Sequence, residues 1–413
     1  MTSPFRLLGR FAALPLLALA ICCCLAAPGC ETGEAEAQAD STAEAEAPLR
    51  RARLSRATEE AEVTTIAGLR VVHEDWRRLG YRWSWTSVAD LNRGGEVRHL
   101  QPLGDAVAIM DSTTRVTILE SSSGRLRWAT NVTERLTQFV ALRRAGDALL
   151  AFGRPELFAL ELSSGNLLAR QPLARVVSTE PAIADGTAVF GTPTERVFAH
   201  VFGTPDGGLL GPPFQGGYAL WQYRLSGAFT AKPVLMGRVA GFVNEAGLVF
   251  FADSRTGSSV GRLRIGDGVV ADPVSDGARM YVASLDQSVY AFDPGNPRPA
   301  WRYRTNIPLR TDPTVHDGVL YVHIPTEGLV AFDARSGSKN WVSPDASGEV
   351  IALVGGELLC RTDEGALLVD AQRGDVLERV DLGGIIELVP EGFVDPVIYA
   401  RGADGAIARF NPR

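Results

Sequence analysis

The sequence predicts an all-β fold, an eight-bladed β-propeller, and leaves a seven-bladed ring as the alternative. The first observation is a repeat with a period of 40 residues, which runs through most of the 413-residue chain. The second is that each repeat contains several short apolar strands joined by Gly- and Asp-rich turns, with no helical pattern. The third is a strand-like segment ahead of the first repeat. Repeats of this length and strand content are typical of propeller blades.

Two successive units show the repeat most clearly. The unit over residues 312–341 begins with Asp-Pro, continues with two apolar strands, and ends with a Gly-containing turn before Trp341. The preceding unit has the same order of residues and ends at Trp301, 40 positions earlier. Six weaker units bring the number to eight. Their Gly or Asp turns lie at residues 104–105, 146–147, 185–186, 237, 355–356 and 391–392.

The two ends of the repeat region predict how the ring closes. The eighth unit offers only three strands, whereas residues 81–85 (Tyr-Arg-Trp-Ser-Trp) resemble the fourth strand that ends at Trp128 in the first unit. We therefore predict that this N-terminal strand docks beside Ile407 and completes the last blade. Such closure leaves no open edge between the first and last blades.

The N-terminus predicts export. Arg6 and Arg10 precede an apolar run over residues 11–27, which is the layout of a signal peptide. Its end resembles a bacterial lipobox, and this implies cleavage after residue 29 and lipidation of Cys30; a simple signal peptide cut nearby and an uncleaved anchor are the alternatives. Residues 30–65, acidic at their start and poor in apolar side chains, are expected to be a disordered tether. Residues 66–413 are expected to form the propeller.

Composition and charge restrict the chemistry. A formal net charge of -7 argues against nucleic acid as a partner, because such binding depends on Lys and Arg that neutralise phosphates. Four of the five cysteines lie at or before Cys30, so only Cys360 remains and no internal disulfide is expected. The five histidines show no metal-ligand spacing. We predict no metal site, no cofactor and no catalytic residue.

The motif formed by Ala331, Asp333, Gly337 and Trp341 resembles the tryptophan-docking repeat of the quinoprotein (PQQ-like) family, over roughly residues 80–413. Weaker copies place Trp128, Asp293 and Trp301 at matching positions; elsewhere the tryptophan is replaced, as by Ala169, Gly261 and Glu378. The expected roles are structural. The glycine allows a positive φ in a turn, the aspartate accepts turn amides, and the indole wedges between blades and needs an acceptor for its N–H.

A lipid-anchored chain with one such propeller resembles the BamB type within that family. The resemblance implies a non-enzymatic scaffold, tethered to the membrane in the periplasm, which binds other envelope proteins in outer-membrane protein assembly. The inner membrane stays open as the site of the anchor, although the outer membrane is favoured. The alternative is a small-molecule or quinone-binding propeller, either a sensor or a degenerate PQQ-dependent dehydrogenase. Quinoprotein dehydrogenases hold the quinone against vicinal cysteines, and here adjacent cysteines occur only at residues 22–24.

Two features of the surface are candidates for partner contacts. Residues 203–217 lengthen the loop between the third and fourth strands of the third unit and carry Leu209, Leu210 and Phe214. Either this loop binds a partner or it is a neutral insertion. The turns between second and third strands carry acidic residues, which form either a ring that steers a basic partner or ordinary turn chemistry. These acidic residues are Glu195, Glu245, Asp286, Glu327, Asp363, Glu364 and Asp404.

Overall fold

A computed structural model describes residues 62–134, 137–203 and 217–413 of the chain. These residues form a two-stranded hairpin, one short helix and eight four-stranded antiparallel sheets. The number of blades is therefore eight, as predicted, and the seven-bladed alternative is wrong. Over the described ranges, no helix has the length and apolar character needed to cross a membrane.

The chain enters the fold through the strands β1 (Val63–Ile66) and β2 (Leu69–Val72), the helix α1 (His73–Arg78) and the strand β3 (Tyr81–Val88). Blade 1 contains β4 (Val97–Pro102), β5 (Ala106–Asp111), β6 (Arg115–Glu120) and β7 (Leu126–Asn131). Blade 2 contains β8 (Phe139–Ala145), β9 (Ala148–Gly153), β10 (Glu156–Glu161) and β11 (Leu167–Pro172). Blade 3 contains β12 (Ala182–Ala184), β13 (Thr187–Gly191), β14 (Arg196–Val201) and β15 (Tyr218–Arg224). Blade 4 contains β16 (Val234–Met236), β17 (Val239–Val243), β18 (Leu248–Asp253) and β19 (Ser259–Arg264).

Blade 5 contains β20 (Val274–Ser275), β21 (Met280–Ser284), β22 (Ser288–Phe292) and β23 (Trp301–Arg304). Blade 6 contains β24 (Thr314–His316), β25 (Val319–Ile324), β26 (Gly328–Asp333) and β27 (Lys339–Ser343). Blade 7 contains β28 (Glu349–Val354), β29 (Glu357–Arg361), β30 (Gly365–Asp370) and β31 (Val376–Asp381). Blade 8 contains β32 (Glu387–Glu391), β33 (Val397–Arg401), β34 (Ala406–Pro412) and, as its fourth strand, β3.

The predicted ring closure is confirmed. Strand β3 pairs antiparallel with β34, so that Ser87 lies opposite Ile407 and Val88 opposite Ala406. The last blade therefore has the order β3-β34-β33-β32, with three strands from the C-terminus and one from the N-terminus. The first strands of neighbouring blades contact one another around the axis, and the fourth strands form the outer rim.

The core consists of eight apolar clusters, one at each seam between adjacent blades. Because side chains alternate across a strand, each blade contributes to the two seams on its two sides. In β13, Ala188 and Phe190 enter the cluster shared with blade 2, whereas Val189 enters the cluster shared with blade 4. Every blade is thus buried on both faces, and none has a hydrophobic core of its own.

The N-terminal hairpin and α1 fill the outer part of the seam between blades 7 and 8. Leu69, Val71 and Trp76 are completely or almost completely buried there. The Trp76 ring stacks on Phe410 with ring centroids 3.4 Å apart. Arg78 lies on the rim, where its guanidinium is 2.5 Å from the Glu378 carboxylate of β31. Neither the helix nor this use of Trp76 was expected from the sequence.

We expect Trp76→Ala to lower the free energy of unfolding by about 3–5 kcal/mol, because it removes a buried indole from the seam where the ring closes. Trp83→Ala is the matched control, since Trp83 is 36% exposed and its ring stacks on His73 at the surface. Chemical denaturation followed by far-UV circular dichroism measures both. Equal losses in the two variants would show that the stack on Phe410 does not secure closure.

Candidate binding face

Five seams are fastened by a tryptophan on the fourth strand of one blade and a turn of the next blade. Each indole N–H donates to a backbone carbonyl at the start of the turn between the third and fourth strands of the following blade. The pairs are Trp85 with Ser121 (2.8 Å), Trp128 with Leu162 (2.9 Å), Trp221 with Ser254 (2.9 Å), Trp301 with Ala334 (2.9 Å) and Trp341 with Ala371 (3.0 Å). The hydrogen bond from each tryptophan is therefore a contact between neighbouring repeats.

The turn glycine of the motif leaves room for the tryptophan of the preceding blade. Gly337 has a φ of 74°, and a Cβ placed on it would lie 2.5 Å from the Trp301 ring. Gly337 therefore receives the indole of blade 5, while Trp341, four residues later, docks on Gly374 of blade 7. One copy of the motif serves two different seams.

The other residues of the motif, Asp333, Asp293 and Ala331, make contacts within the sheets and turns. The Asp333 carboxylate accepts hydrogen bonds from the hydroxyl and backbone N–H of Ser336, and these hold its pKa below the ordinary value. Asp293 instead lies 2.5 Å from the Arg279 guanidinium. Ala331 is fully buried and pairs in register with Trp341. These contacts agree with the structural roles expected for the motif.

Three seams lack the tryptophan and are filled in different ways. A Cβ on Gly261 would lie 3.3 Å from the backbone nitrogen of Gly295, so the backbones of blades 4 and 5 approach closely here. Glu378 binds Arg78. Ala169 lies in the apolar cluster between blades 2 and 3.

A buried polar pair lies near this last seam. The His200 Nε2 is 3.2 Å from the Gln171 side-chain oxygen. Burial lowers the pKa of His200 to about 4, so the imidazole stays neutral at physiological pH.

We expect Gly337→Ala to destabilise the protein by at least about 1 kcal/mol more than Gly355→Ala, because a methyl group at residue 337 collides with the Trp301 indole, which is docked on this turn. Gly355 is the matched control: its φ is also positive (57°), but a Cβ there meets nothing within 4 Å. The comparison isolates the interblade contact from the cost of the left-handed backbone, which is about 1–2 kcal/mol in each variant. Thermal unfolding that is indistinguishable in the two variants would contradict it.

The functional residues predicted for chemistry or binding are scattered or lie outside the described residues. Cys30, Leu209, Leu210 and Phe214 belong to ranges that the structure does not describe. Cys360 is completely buried, which raises the pKa of its thiol to about 12. Between residues 62 and 413, apart from the two undescribed stretches, no three His, Cys, Asp or Glu side chains come together in a metal-binding arrangement.

One face of the ring carries all the connections between blades and all the turns between second and third strands, because strand direction alternates within each blade. We call it the connection face. Charged residues at the start of successive first strands are linked there around the channel. The backbone N–H of Lys232 donates to the Asp272 carboxylate, and the backbone N–H of Asp272 donates to the Asp312 carboxylate, each over 2.8 Å. Both bonds join residues 40 positions apart, which is the repeat period.

These residues border a cavity of about 530 Å³ at the channel mouth, with Ile183, Leu235 and Val315 on its aliphatic wall. The Lys232 ammonium is 3.1 Å from the Asp272 carboxylate, so these two charges compensate each other. Burial, together with the nearby Asp272 and Glu349 carboxylates, raises the pKa of Asp312 to about 6. The mouth of the channel therefore changes its charge slightly below neutral pH.

We expect the stability of Asp312→Asn, relative to the native protein, to rise as the pH increases from 4 to 7. The folded chain holds a proton on Asp312 up to a pKa of about 6, against 3.8 for an ordinary Asp. This preference favours folding at low pH and is lost as the pH rises through 6. Urea denaturation at several pH values measures the difference, with Asp345→Asn, an exposed carboxylate of the same face, as the control. Parallel pH profiles for the native protein and Asp312→Asn would contradict it.

The acidic turns lie on the connection face, but several of their carboxylates already have hydrogen-bond or ion-pair partners within the protein. Asp286 accepts hydrogen bonds from the Tyr290 hydroxyl (2.6 Å) and the Gly266 N–H (2.9 Å). Glu327 accepts from the Tyr303 hydroxyl of the preceding blade and pairs with Lys339. These two carboxylates hold strands and blades together, whereas Glu245, Asp363 and Glu364 are exposed and form no ion pair with any other residue that the structure describes.

The chain was compared with known proteins. A family model described as outer membrane protein assembly factor BamB matches residues 112–224 and 216–384, from blade 1 to the end of blade 7. The outer membrane protein assembly factor BamB of Burkholderia pseudomallei (strain K96243) is 27% identical over 115 residues, which are 28% of this chain. The aligned stretch spans only 30% of the length of that curated relative.

Solved structures share the fold. BamB from Moraxella catarrhalis superimposes with a TM-score of 0.59 and 18% identity, covering 80% of this chain and 97% of that one. The computationally designed Ika8 protein superimposes with a TM-score of 0.61 and 11% identity, covering 78% and 98% of the two chains. At these identities the likeness concerns the fold alone.

Proposed function

The chain belongs to the family of the outer membrane protein assembly factor BamB, and we propose that it is a non-enzymatic scaffold that binds other envelope proteins during outer-membrane protein assembly. Family membership across seven of the eight blades is the observation that carries this proposal. The function is one of binding, so it needs a stable surface more than a reactive group.

The connection face is the surface that we assign to this role. Its loops are positioned by eight buried seams, so a partner meets a preformed surface and little ordering of the ring is needed on binding. Three cavities of about 480, 530 and 620 Å³ open there. The one of 530 Å³ is lined by first strands and the connections that lead into them, and the other two also by second-to-third-strand turns. Among the described residues, the opposite face consists of short turns and the rim of edge strands.

We further propose that the propeller is tethered to a membrane. In this proposal, residues 1–29 are a lipoprotein signal peptide, Cys30 carries the lipid, and the acidic tether begins at residue 30 and ends before β1 at Val63. Several acyl chains on one residue anchor a protein stably, because each buried methylene contributes roughly 0.8 kcal/mol. The protein would then reside in the cell envelope and face the periplasm, and we place its anchor in the outer membrane.

The alternative of a quinone-binding propeller has little support in the residues. The quinoprotein dehydrogenases that the repeat resembles use a vicinal cysteine pair. Beyond residue 30 the sequence has one cysteine, Cys360, and it lies in the seam between blades 6 and 7. A bound quinone would therefore need a different mode of recognition.

The test is capture from intact cells. We expect the affinity-tagged full chain, crosslinked before lysis, to bring down the outer-membrane assembly machinery from the membrane fraction, as identified by mass spectrometry. The Cys30→Ala protein should move to the soluble fraction if the lipid is the anchor. Recovery of the tagged chain without any envelope protein would overturn the scaffold function. A lipidated N-terminus in mass spectra would support the anchor independently of capture.

A further inference from the structure

A cavity of about 480 Å³ lies on the connection face, where the loops of blades 6, 7 and 8 meet. We call it the blade 7 pocket. One side consists of the turn from Thr362 to Gly365, and the other of the connection from Leu382 to Glu387. Its volume lies within the range of ordinary ligand pockets and matches one or two amino-acid side chains.

The charge of the pocket is predominantly negative. Four carboxylates line it, from Glu349, Asp363, Glu364 and Glu387, against one guanidinium, from Arg361. The Arg361 guanidinium forms an ion pair with Glu349 over 2.6 Å, and Glu387 forms one with Arg401 over 2.8 Å. Asp363 and Glu364 are exposed and have no cationic partner among the residues described.

The one other titratable group in the wall does not offset this charge. His323 is half-buried, and burial lowers its pKa below the ordinary value, so the imidazole is neutral at pH 7. Asp363 and Glu364 are adjacent in the turn that lines the pocket, so a cation bound there lies near two carboxylates without ion-pair partners among the described residues.

An aliphatic surface stands beside the carboxylates. Ile386 is 55% exposed, although its backbone is fixed by a hydrogen bond from its N–H to the Arg401 carbonyl (2.7 Å). Neighbouring Gly383 and Gly384 are exposed and add no side chain, so the connection is open to an approaching backbone. The turn of the N-terminal hairpin borders this connection, since a Cβ on Gly384 would lie 3.3 Å from the Gly68 carbonyl.

We propose that the blade 7 pocket is a docking site for an extended segment of a partner protein that places an arginine or lysine side chain between Asp363 and Glu364 and an aliphatic residue against Ile386. The inference rests on the proposed scaffold function, because it names the chemistry of one partner segment. Charge complementarity selects a basic segment, and acidic or uncharged segments gain nothing from the two carboxylates.

The experiment uses the purified full chain and a fluorescein-labelled peptide in which arginine is flanked by leucines, with binding measured by fluorescence anisotropy at low salt. The same peptide with glutamate in place of arginine is the comparison. We expect the arginine peptide to bind and the glutamate peptide not to bind. Asp363→Asn combined with Glu364→Gln should weaken binding by about two- to thirtyfold, the range for two exposed charge pairs.

The matched control combines Glu245→Gln with Asp267→Asn, the same change of charge on the same face but in blade 4, and should bind like the native protein. Thermal unfolding establishes that all the proteins are folded. Equal weakening in both double variants would show attraction to overall negative charge and would overturn the pocket, as would unchanged binding in both.

The assay contains no envelope protein, so its outcome is independent of the capture experiment. Capture of the assembly machinery without peptide binding would overturn the pocket alone. Peptide binding without capture would overturn the scaffold function and leave a site for basic segments.

Discussion

The closure of the ring is the constraint on which the rest of the structure depends. Each blade is apolar on both faces, so the fold satisfies every blade only when the first and last are joined. The joint pairs Ser87 with Ile407, and the Arg413 N–H donates to the Gly80 carbonyl over 3.0 Å. Contacts between residues more than 300 positions apart therefore complete blade 8. Without them, the seams of blade 8 with blades 7 and 1 would stay exposed to water. Such distant pairing has a high cost in loop entropy, which the buried hairpin and Trp76 help to offset.

The seams also explain how the repeat tolerates divergence. The glycine of one unit receives the tryptophan of the unit before it, so Gly337 and Trp301 form one functional pair although they belong to different repeats. A unit that loses its tryptophan affects a single seam, and the neighbouring blades fill that seam by other means. Close backbone approach does so at Gly261, and an ion pair with α1 does so at Glu378. The motif is therefore weak in several units while the ring remains closed.

The sequence was sufficient for the fold because its signals are periodic. The spacing of 40 residues, the number of units and the orphan strand at residues 81–85 led to eight blades and to the correct closing strand. The hairpin and α1 could not be inferred, since they occur once and have no periodic pattern. Their burial depends on Phe410 and Glu378, which are distant in sequence.

The binding surface was only partly accessible to the same reasoning. The Asp-Pro pairs at 272 and 312 were visible as repeats, but their hydrogen bonds and the raised pKa of Asp312 follow from geometry. The acidic turns were correctly identified as acidic and as lying on one face. Which of them are free depends on neighbours: Glu327 is engaged by Tyr303 of the preceding blade, whereas Asp363 and Glu364 are exposed. Sequence locates a charge, and the fold decides whether that charge is already paired.

The rim and the connection face are suited to different tasks for a physical reason. The rim presents the outer edges of fourth strands, which are a hazard for edge-to-edge association. Charged pairs lie along it, such as Arg78 with Glu378 (2.5 Å) and Arg170 with Glu156 (2.7 Å), and they place solvated groups where another strand would add. The connection face has few free edges, holds the cavities, and carries carboxylates without partners. Since the ring is closed and its rim is covered by charged pairs, the connection face is the surface best suited to specific binding. A partner that binds there orders few loops and removes few paired charges from water.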